Sequence, residues 1–444
     1  NAMCNMFNAY AAGIPMVVIA GQQNRHHLIH QPILSGDLTK LAETATVTQV
    51  QIDRVGDMST LLQRSYLDAD EHKAPTFVSI PMEIYEDETT SASFKSTQVF
   101  SDASIENLSD IASSIRSTQG KIVFVADAEA AWCHDLKNAL RSLSEGLDAD
   151  VYLAPFALTT VVDIRSPNYK GVLPAVSSES NAILSGYGTI VLLGEKIQSF
   201  LFKDLPTVPE KPLLIQFSNG RTRIRYDYPT DYVIRGDIAK NLVHLRSALG
   251  VSESFKPDIS GNLTVQPSLL SHILEALPRT TPIVIEGSSH QNMEEKITTE
   301  LRFEEVYFEP RGGALGMAMP LAIGVSLHSQ KPIVCLVGDG GSLYSIHSIW
   351  TAARYKIPLV IICFVNHQYQ ILKQLWNLQI PTSSEIDYKP ILDIKDPELD
   401  LHGIARGFGA KTHHANLDNY KSLLEEALSH RGPTFITIPD DHRY

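Results

Sequence analysis

The stretch from Lys331 to Leu372, KPIVCLVGDGGSLYSIHSIWTAARYKIPLVIICFVNHQYQIL, leaves a chain few choices of fold. An apolar run from Pro332 to Val337 is long enough for one buried strand, and Gly338-Asp339-Gly340-Gly341 breaks it. A helical pattern follows through Ile346, Ile349, Trp350 and Ala353, and a second apolar run, Pro358 to Val365, ends at Asn366. Strand, glycine turn, helix and strand make a βαβ unit, whose parallel strands finish on the same edge of a sheet. Asp339 and Asn366, 27 residues apart, are therefore predicted just past the carboxyl ends of neighbouring strands, where open α/β sheets bind ligands. One hard oxygen ligand from each loop, with a backbone carbonyl nearby, suits Mg²⁺ holding a phosphate. The glycines let the backbone approach that phosphate, and the helix N-terminus offers free N–H groups. The same residues also read as a plain glycine turn in a Rossmann-like sheet that holds no ligand.

At 444 residues the chain is long enough for about three domains. A formal charge of −13 argues against a broad nucleic-acid surface. No apolar run approaches the ~20 residues of a membrane helix, and no secretory signal opens the chain. Cys4, Cys133, Cys335 and Cys363 lie mostly in apolar segments and read as reduced core thiols, which points to the cytoplasm.

Strand and helix patterns alternate throughout, which predicts α/β architecture with parallel sheets. Two polar, weakly patterned stretches, 86–104 and 252–262, divide the chain. The expected domains are 1–95, 105–252 and 263–444. In the first, a helix over 1–12 precedes strands over 16–20, 47–52 and 76–80 and a helix over 58–69. His26 and His30 are four apart and could share a metal on a helix, but without a third ligand they read as surface histidines. In the second, strands are predicted over 122–126, 151–154, 189–193 and 212–217, with helices over 128–145 and 237–249. It has no GxGxxG after a strand, so a dinucleotide there has no local support. In the third, a helix over 268–277 and a strand over 282–285 lead to Glu286-Gly287-Ser288-Ser289-His290. Its two hydroxyls suit a phosphate, and equally a helix cap that needs no ligand. Arg311 to Gly324 is glycine-rich and enters a small-residue helix that can pack closely on a sheet.

GDG followed by Asn at that spacing resembles the thiamine diphosphate (ThDP)-dependent enzymes. GGALGMAMPLAIG at 312–324, YSI at 344–346, WTAARYKIP at 350–358, AGQQ at 20–23 and the opening NAM extend the likeness to the benzoylformate decarboxylases. The resemblance implies pyrimidine-binding, central and diphosphate-binding domains, with active sites between the subunits of a homodimer or homotetramer. It implies Mg²⁺ on Asp339, Asn366 and the Gln368 carbonyl, with Ser288, Ser289, Gly340, Gly341, Tyr369 and Ile371 at the cofactor. It implies that the Gly313 carbonyl and Leu315 amide bond the aminopyrimidine edge, and that Leu315 wedges between the two rings to impose a V shape. The cofactor then forms an ylide that adds to a 2-oxo acid and serves as electron sink for loss of CO₂. Non-oxidative decarboxylation of a 2-oxo acid is the implied activity. An acetolactate-synthase-like carboligase, or a catalytically inactive protein or fragment of this fold, are the alternatives.

The chain departs from that pattern in three places. Residues 1 to about 90 correspond to the rear part of a pyrimidine domain, so the glutamate that activates ThDP is expected upstream and no catalytic residue is assigned. A histidine used in benzoylformate decarboxylases falls near Leu201. Where Tyr-Gly is usual after the metal loop, Tyr369-Gln370 stands, followed by the bulky Ile371.

Overall fold

A computed structural model describes residues 2–88, 106–133, 135–155, 157, 161–194, 197, 208–209, 211–219, 230–253, 255–258, 268–287, 297, 301, 303–307, 312–379 and 389–440. The strands among them form three sheets, each with only parallel pairings. The first is three-stranded, with Pro75–Pro81 between Met16–Gln22 and Thr48–Gln51. Because side chains alternate along a strand, Phe77 joins one core with Met6, Ala42 and Ala45, while Val78 and Ile80 join another with Ile52 and Ile84. Pro75–Pro81 is thus covered on both faces, as its unbroken burial shows. The helix between Thr48–Gln51 and the central strand, Met58–His72, ends where Lys73 turns left-handed. The short helix Arg25–Leu28 stops before His30, so His26 and His30 do not share a helical face.

The second sheet has six strands in the order Tyr169–Val172, Asp150–Leu153, Ile122–Ala126, Thr189–Leu193, Leu213–Ser218 and Tyr232–Arg235. The helix predicted over 128–145 is instead a short 3₁₀ segment, Ala128–Trp132, and a helix, Leu136–Gly146. They are separated at Asp135, whose φ of 62° no helix accommodates. Ile238–Leu249 begins with Asp237, whose side chain accepts from the Lys240 amide, and ends at a left-handed Gly250. Arg141 reaches from Leu136–Gly146 to Glu145, Asp163 and Asp258 at 2.8, 2.6 and 2.8 Å. The Lys256 backbone amide donates to Glu145 as well. Residues 256–258, expected in a linker, are therefore tied to the second sheet by charge-assisted bonds that composition does not reveal.

The third sheet has the order Val306–Tyr307, Ile283–Glu286, Ile333–Gly338, Leu359–Val365, Pro433–Pro439 and Lys411–His414. Its inner strands are apolar on successive residues, which alternate between two separate cores, one on each face. The helix predicted after the glycine turn is broken up. One turn at Asp339–Ser342, a 3₁₀ turn at Ile346–Ser348 and a helix at Ile349–Arg354 replace it. No helix among the described residues is long and apolar enough to cross a membrane.

Candidate functional site

In the third sheet the chain leaves Ile283–Glu286 toward one edge and resumes at Ile333–Gly338 toward the other. That reversal opens a crevice at the carboxyl ends of the two strands, the usual ligand position in such sheets. Glu286 closes one strand and Gly338-Asp339-Gly340-Gly341 follows the other.

Glu286 is buried, and its Oε1 accepts from the Gly316 amide at 2.8 Å. Its Oε2 accepts from the Met317 and Ala318 amides, both at 2.8 Å. The carboxylate thereby caps the helix Ala318–Ser329, whose N-cap residue Met317 offers no side-chain oxygen. Burial pushes the Glu286 carboxyl up, and the three amides pull back without restoring its ordinary range. The capped turn needs glycine twice, at Gly313 with φ +70° and at Gly316 with φ +90°.

Asp339 is likewise buried. Its Oδ1 accepts from the Gly340 amide at 2.8 Å, and its Oδ2 from the Asn366 and His367 amides at 3.0 and 2.6 Å. Burial raises its carboxyl above the usual range despite the His367, Gly340 and Asn366 amides. A cation placed against it would offset that desolvation. The Asn366 Nδ2 donates to Asp440 Oδ2 at 2.8 Å, while its Oδ1 accepts from the Gln368 amide at 3.0 Å. That oxygen keeps a second lone pair. Gln368 bridges Asp393, but the bonds of that bridge run to the His367 and Leu392 carbonyls, leaving the Gln368 carbonyl outside them.

The glycines are held by contact. A Cβ on Gly340 would lie 2.9 Å from Tyr369 Cε1, and one on Gly341 would lie 3.2 Å from Glu286 Oε1. Asp339, Gly340, Gly341, Asn366, Gln368 and Tyr369 are thus brought together, and Glu286 joins them to the turn carrying Gly313 and Leu315. Ile371 lies half-buried in the first turn of Gln370–Gln379. Ser288, Ser289 and Leu201 lie outside the described residues. A carboxylate, an amide oxygen and a backbone carbonyl are hard oxygen donors of the kind Mg²⁺ takes. With a cradle free of Cβ atoms beside them, they fit a Mg²⁺–diphosphate group.

Sequence reasoning missed Glu286, Asp440 and Asn8. Glu286 had one visible sign, a carboxylate directly ending an apolar strand. Asp440 ends the Pro433–Pro439 strand in the same way. Asn8 sits 306 residues from its partner Ala314, and nothing local marks it.

Residues 293–438 match the family described as thiamine pyrophosphate enzyme, C-terminal TPP binding domain. The chain is 25% identical to benzoylformate decarboxylase of Pseudomonas aeruginosa, over 99% of this chain and 84% of that protein. It is 22% identical to a probable pyruvate decarboxylase of Schizosaccharomyces pombe, over 98% of this chain and 79% of that one. A shorter match, 34% identical, joins 26% of this chain to 20% of the acetolactate synthase large subunit of Haemophilus influenzae. The crystal structure of benzoylformate decarboxylase from Polynucleobacter necessarius superposes with a TM-score of 0.85 at 23% identity, covering 99% of this chain and 84% of that one. The three-sheet α/β fold is therefore the one those enzymes have.

Proposed function

We propose that this relative of the thiamine diphosphate-dependent enzymes binds Mg²⁺–ThDP on its third sheet and decarboxylates a 2-oxo acid. The observation that carries the reading is the pair Asp339 and Asn366, joined through a backbone amide at adjacent strand ends beside two glycines where a Cβ would press on Tyr369 and Glu286. Asp339, the Asn366 Oδ1 and the Gln368 carbonyl would hold the metal. Gly340, Gly341, Tyr369, Ser288 and Ser289 would line the diphosphate. The Gly313 carbonyl and Leu315 amide would hold the aminopyrimidine ring, with Leu315 and Ile371 against it. When bound, the cofactor supplies the electron sink for loss of CO₂. The chain's own part is to balance the anionic head group, to hold the ring turn through Glu286 and to keep water from the reacting carbons.

Benzoylformate is the first substrate to try, followed by other aryl and larger aliphatic 2-oxo acids. Domain limits of 1–95, 105–252 and 263–444 go with this reading. So does a homodimer or homotetramer, supported by exposed apolar side chains on the first domain at Ile29, Ile33, Leu34 and Leu41. The likeness to acetolactate synthases favours carboligation as the second reading. The test is calorimetric titration with ThDP and Mg²⁺, followed by CO₂ release from a panel of 2-oxo acids at saturating cofactor. Magnesium-dependent ThDP binding with CO₂ release from an aryl 2-oxo acid is expected. Acetolactate formed from pyruvate would turn the assignment to a carboligase, and turnover-free binding to a non-catalytic protein. Absence of ThDP binding would refute the proposal.

A further inference from the structure

Asn8 lies on the helix Met3–Ala11 of the first domain, and it is buried to 4% exposure against the third. Its Nδ2 donates to the Ala314 carbonyl at 2.8 Å and to Asn5 Oδ1 at 3.2 Å, and its Oδ1 accepts from the Ala314 amide at 3.1 Å. One side-chain amide therefore occupies both polar groups of a single backbone residue. The contact is close: a Cβ on Gly312 would lie 2.4 Å from Asn8 Oδ1 and 3.0 Å from Phe7 Cδ1.

Peptide planarity carries this grip to the neighbours. In a trans peptide the C=O and N–H point in opposite directions. The Ala314 N–H shares its plane with the Gly313 carbonyl, and the Ala314 C=O shares its plane with the Leu315 N–H. With both Ala314 groups turned toward Asn8, the Gly313 carbonyl and the Leu315 amide are turned the opposite way. The turn needs such a hold, because Gly313 and Gly316 are left-handed glycines with wide conformational freedom in the unconstrained chain. Glu286 secures only its far end, from Gly316 onward.

We propose that Asn8 is a positioning residue which, across the domain boundary, orients the Gly313 carbonyl and Leu315 amide toward the aminopyrimidine ring of ThDP. This rests on the cofactor reading above. It assigns to the first domain a part in shaping the ring subsite that is independent of the metal and the diphosphate.

The test separates ring from head group. With Mg²⁺ present, calorimetry measures the affinity of ThDP and of inorganic diphosphate for the wild type, Asn8→Ala and Asn8→Asp. The Asp variant keeps an acceptor for the Ala314 amide but sets an oxygen against the Ala314 carbonyl, at nearly unchanged volume. Both variants should lose about tenfold in ThDP affinity while diphosphate affinity stays within about twofold. Amide hydrogen exchange over 312–318 in the cofactor-free protein should quicken in both, with 333–338 unchanged. If both affinities fall together, or if neither affinity nor exchange at 312–318 changes, Asn8 is only a packing residue and the proposal fails. Should Asn8→Ala not fold, Asn8→Asp decides. A wild type that binds diphosphate but gains nothing from the rings of ThDP would overturn the cofactor reading, an outcome distinct from equal behaviour of wild type and variants.

Discussion

The second and third sheets each have six parallel strands and each reverse direction beside the strand that opens them, yet the two crevices at those reversals are filled in opposite ways. Between Ile122–Ala126 and Thr189–Leu193 the crevice of the second sheet is taken by Asp127, which is fully buried. A Cβ on Gly194 would lie 2.6 Å from Asp127 Cβ and 2.8 Å from its Oδ2, so the acid packs directly on the first residue after the neighbouring strand. Glu129, also buried, accepts from the Ser218 hydroxyl at 2.9 Å. Two buried carboxylates thus follow Ile122–Ala126, a charge that opposes a phosphate there. In the third sheet the same place is built of glycine backbone, and its carboxylates are turned onto amides. The order of strands decides where a ligand could sit; the few residues after each strand decide whether the place is open and of what charge.

That contrast predicts two classes of variant, one that unfolds without touching binding and one that does the reverse. The largest effect is expected for Arg141→Ala. It leaves Glu145 and Asp163 buried without their guanidinium partner, so urea unfolding should show a loss of about 3 kcal/mol. ThDP affinity should stay within about twofold; a larger drop would break the separation of the two sheets. Next, Gly194→Ala forces a Cβ onto Asp127 at a φ of +126°, and should cost about 2 kcal/mol by the same measurement. Asp339→Ala should behave in the opposite sense. Calorimetric ThDP affinity falls at least about tenfold, or ~1.4 kcal/mol, while the cofactor-free protein loses less stability than in Arg141→Ala. Unchanged affinity would remove Asp339 from the metal.

The smallest effect is a pH dependence. Burial, followed by the charge of Arg406 and proximity to His414, pushes His402 below its ordinary value of 6.5. Its Nε2 meets the Thr437 hydroxyl at 2.8 Å on Pro433–Pro439, the last strand of the third sheet in sequence. The unfolded chain then binds the proton more readily than the folded one, so this contribution is intact above pH 6.5 and declines as pH falls below it. Melting temperatures between pH 7.5 and 5.5 should drop less steeply in His402→Gln than in the wild type.

The inner strands were legible because each is a short apolar run closed by Gly, Pro or a polar residue, and burial on both faces demands such a run. Tyr169–Val172, Tyr232–Arg235 and Lys411–His414 were not, since each of these edge strands carries exposed and half-buried positions and looks like loop. The break at Asp135 escaped because left-handed backbone at a non-glycine residue leaves no mark on hydrophobic spacing. The places of Asp339 and Asn366 at strand ends were legible because each residue directly follows its strand in sequence. Glu286 and Asn8 act on backbone 30 and 306 residues away, and such pairs have no local signature.

The Asn366 side chain is oriented by Asp440, 74 residues later and just past the Pro433–Pro439 strand. During synthesis, domains form from the N-terminal side first, so the GDG loop, the Asn366 loop and both glycines emerge well before that aspartate does. Until Pro433–Pro439 pairs with Leu359–Val365, the Asn366 amide group keeps its local bond from the Gln368 amide but lacks the Asp440 contact. On the proposed cofactor reading, a nascent chain stalled before residue 433 would carry the Asp339 and Asn366 loops without the Asp440 contact on the Asn366 amide group.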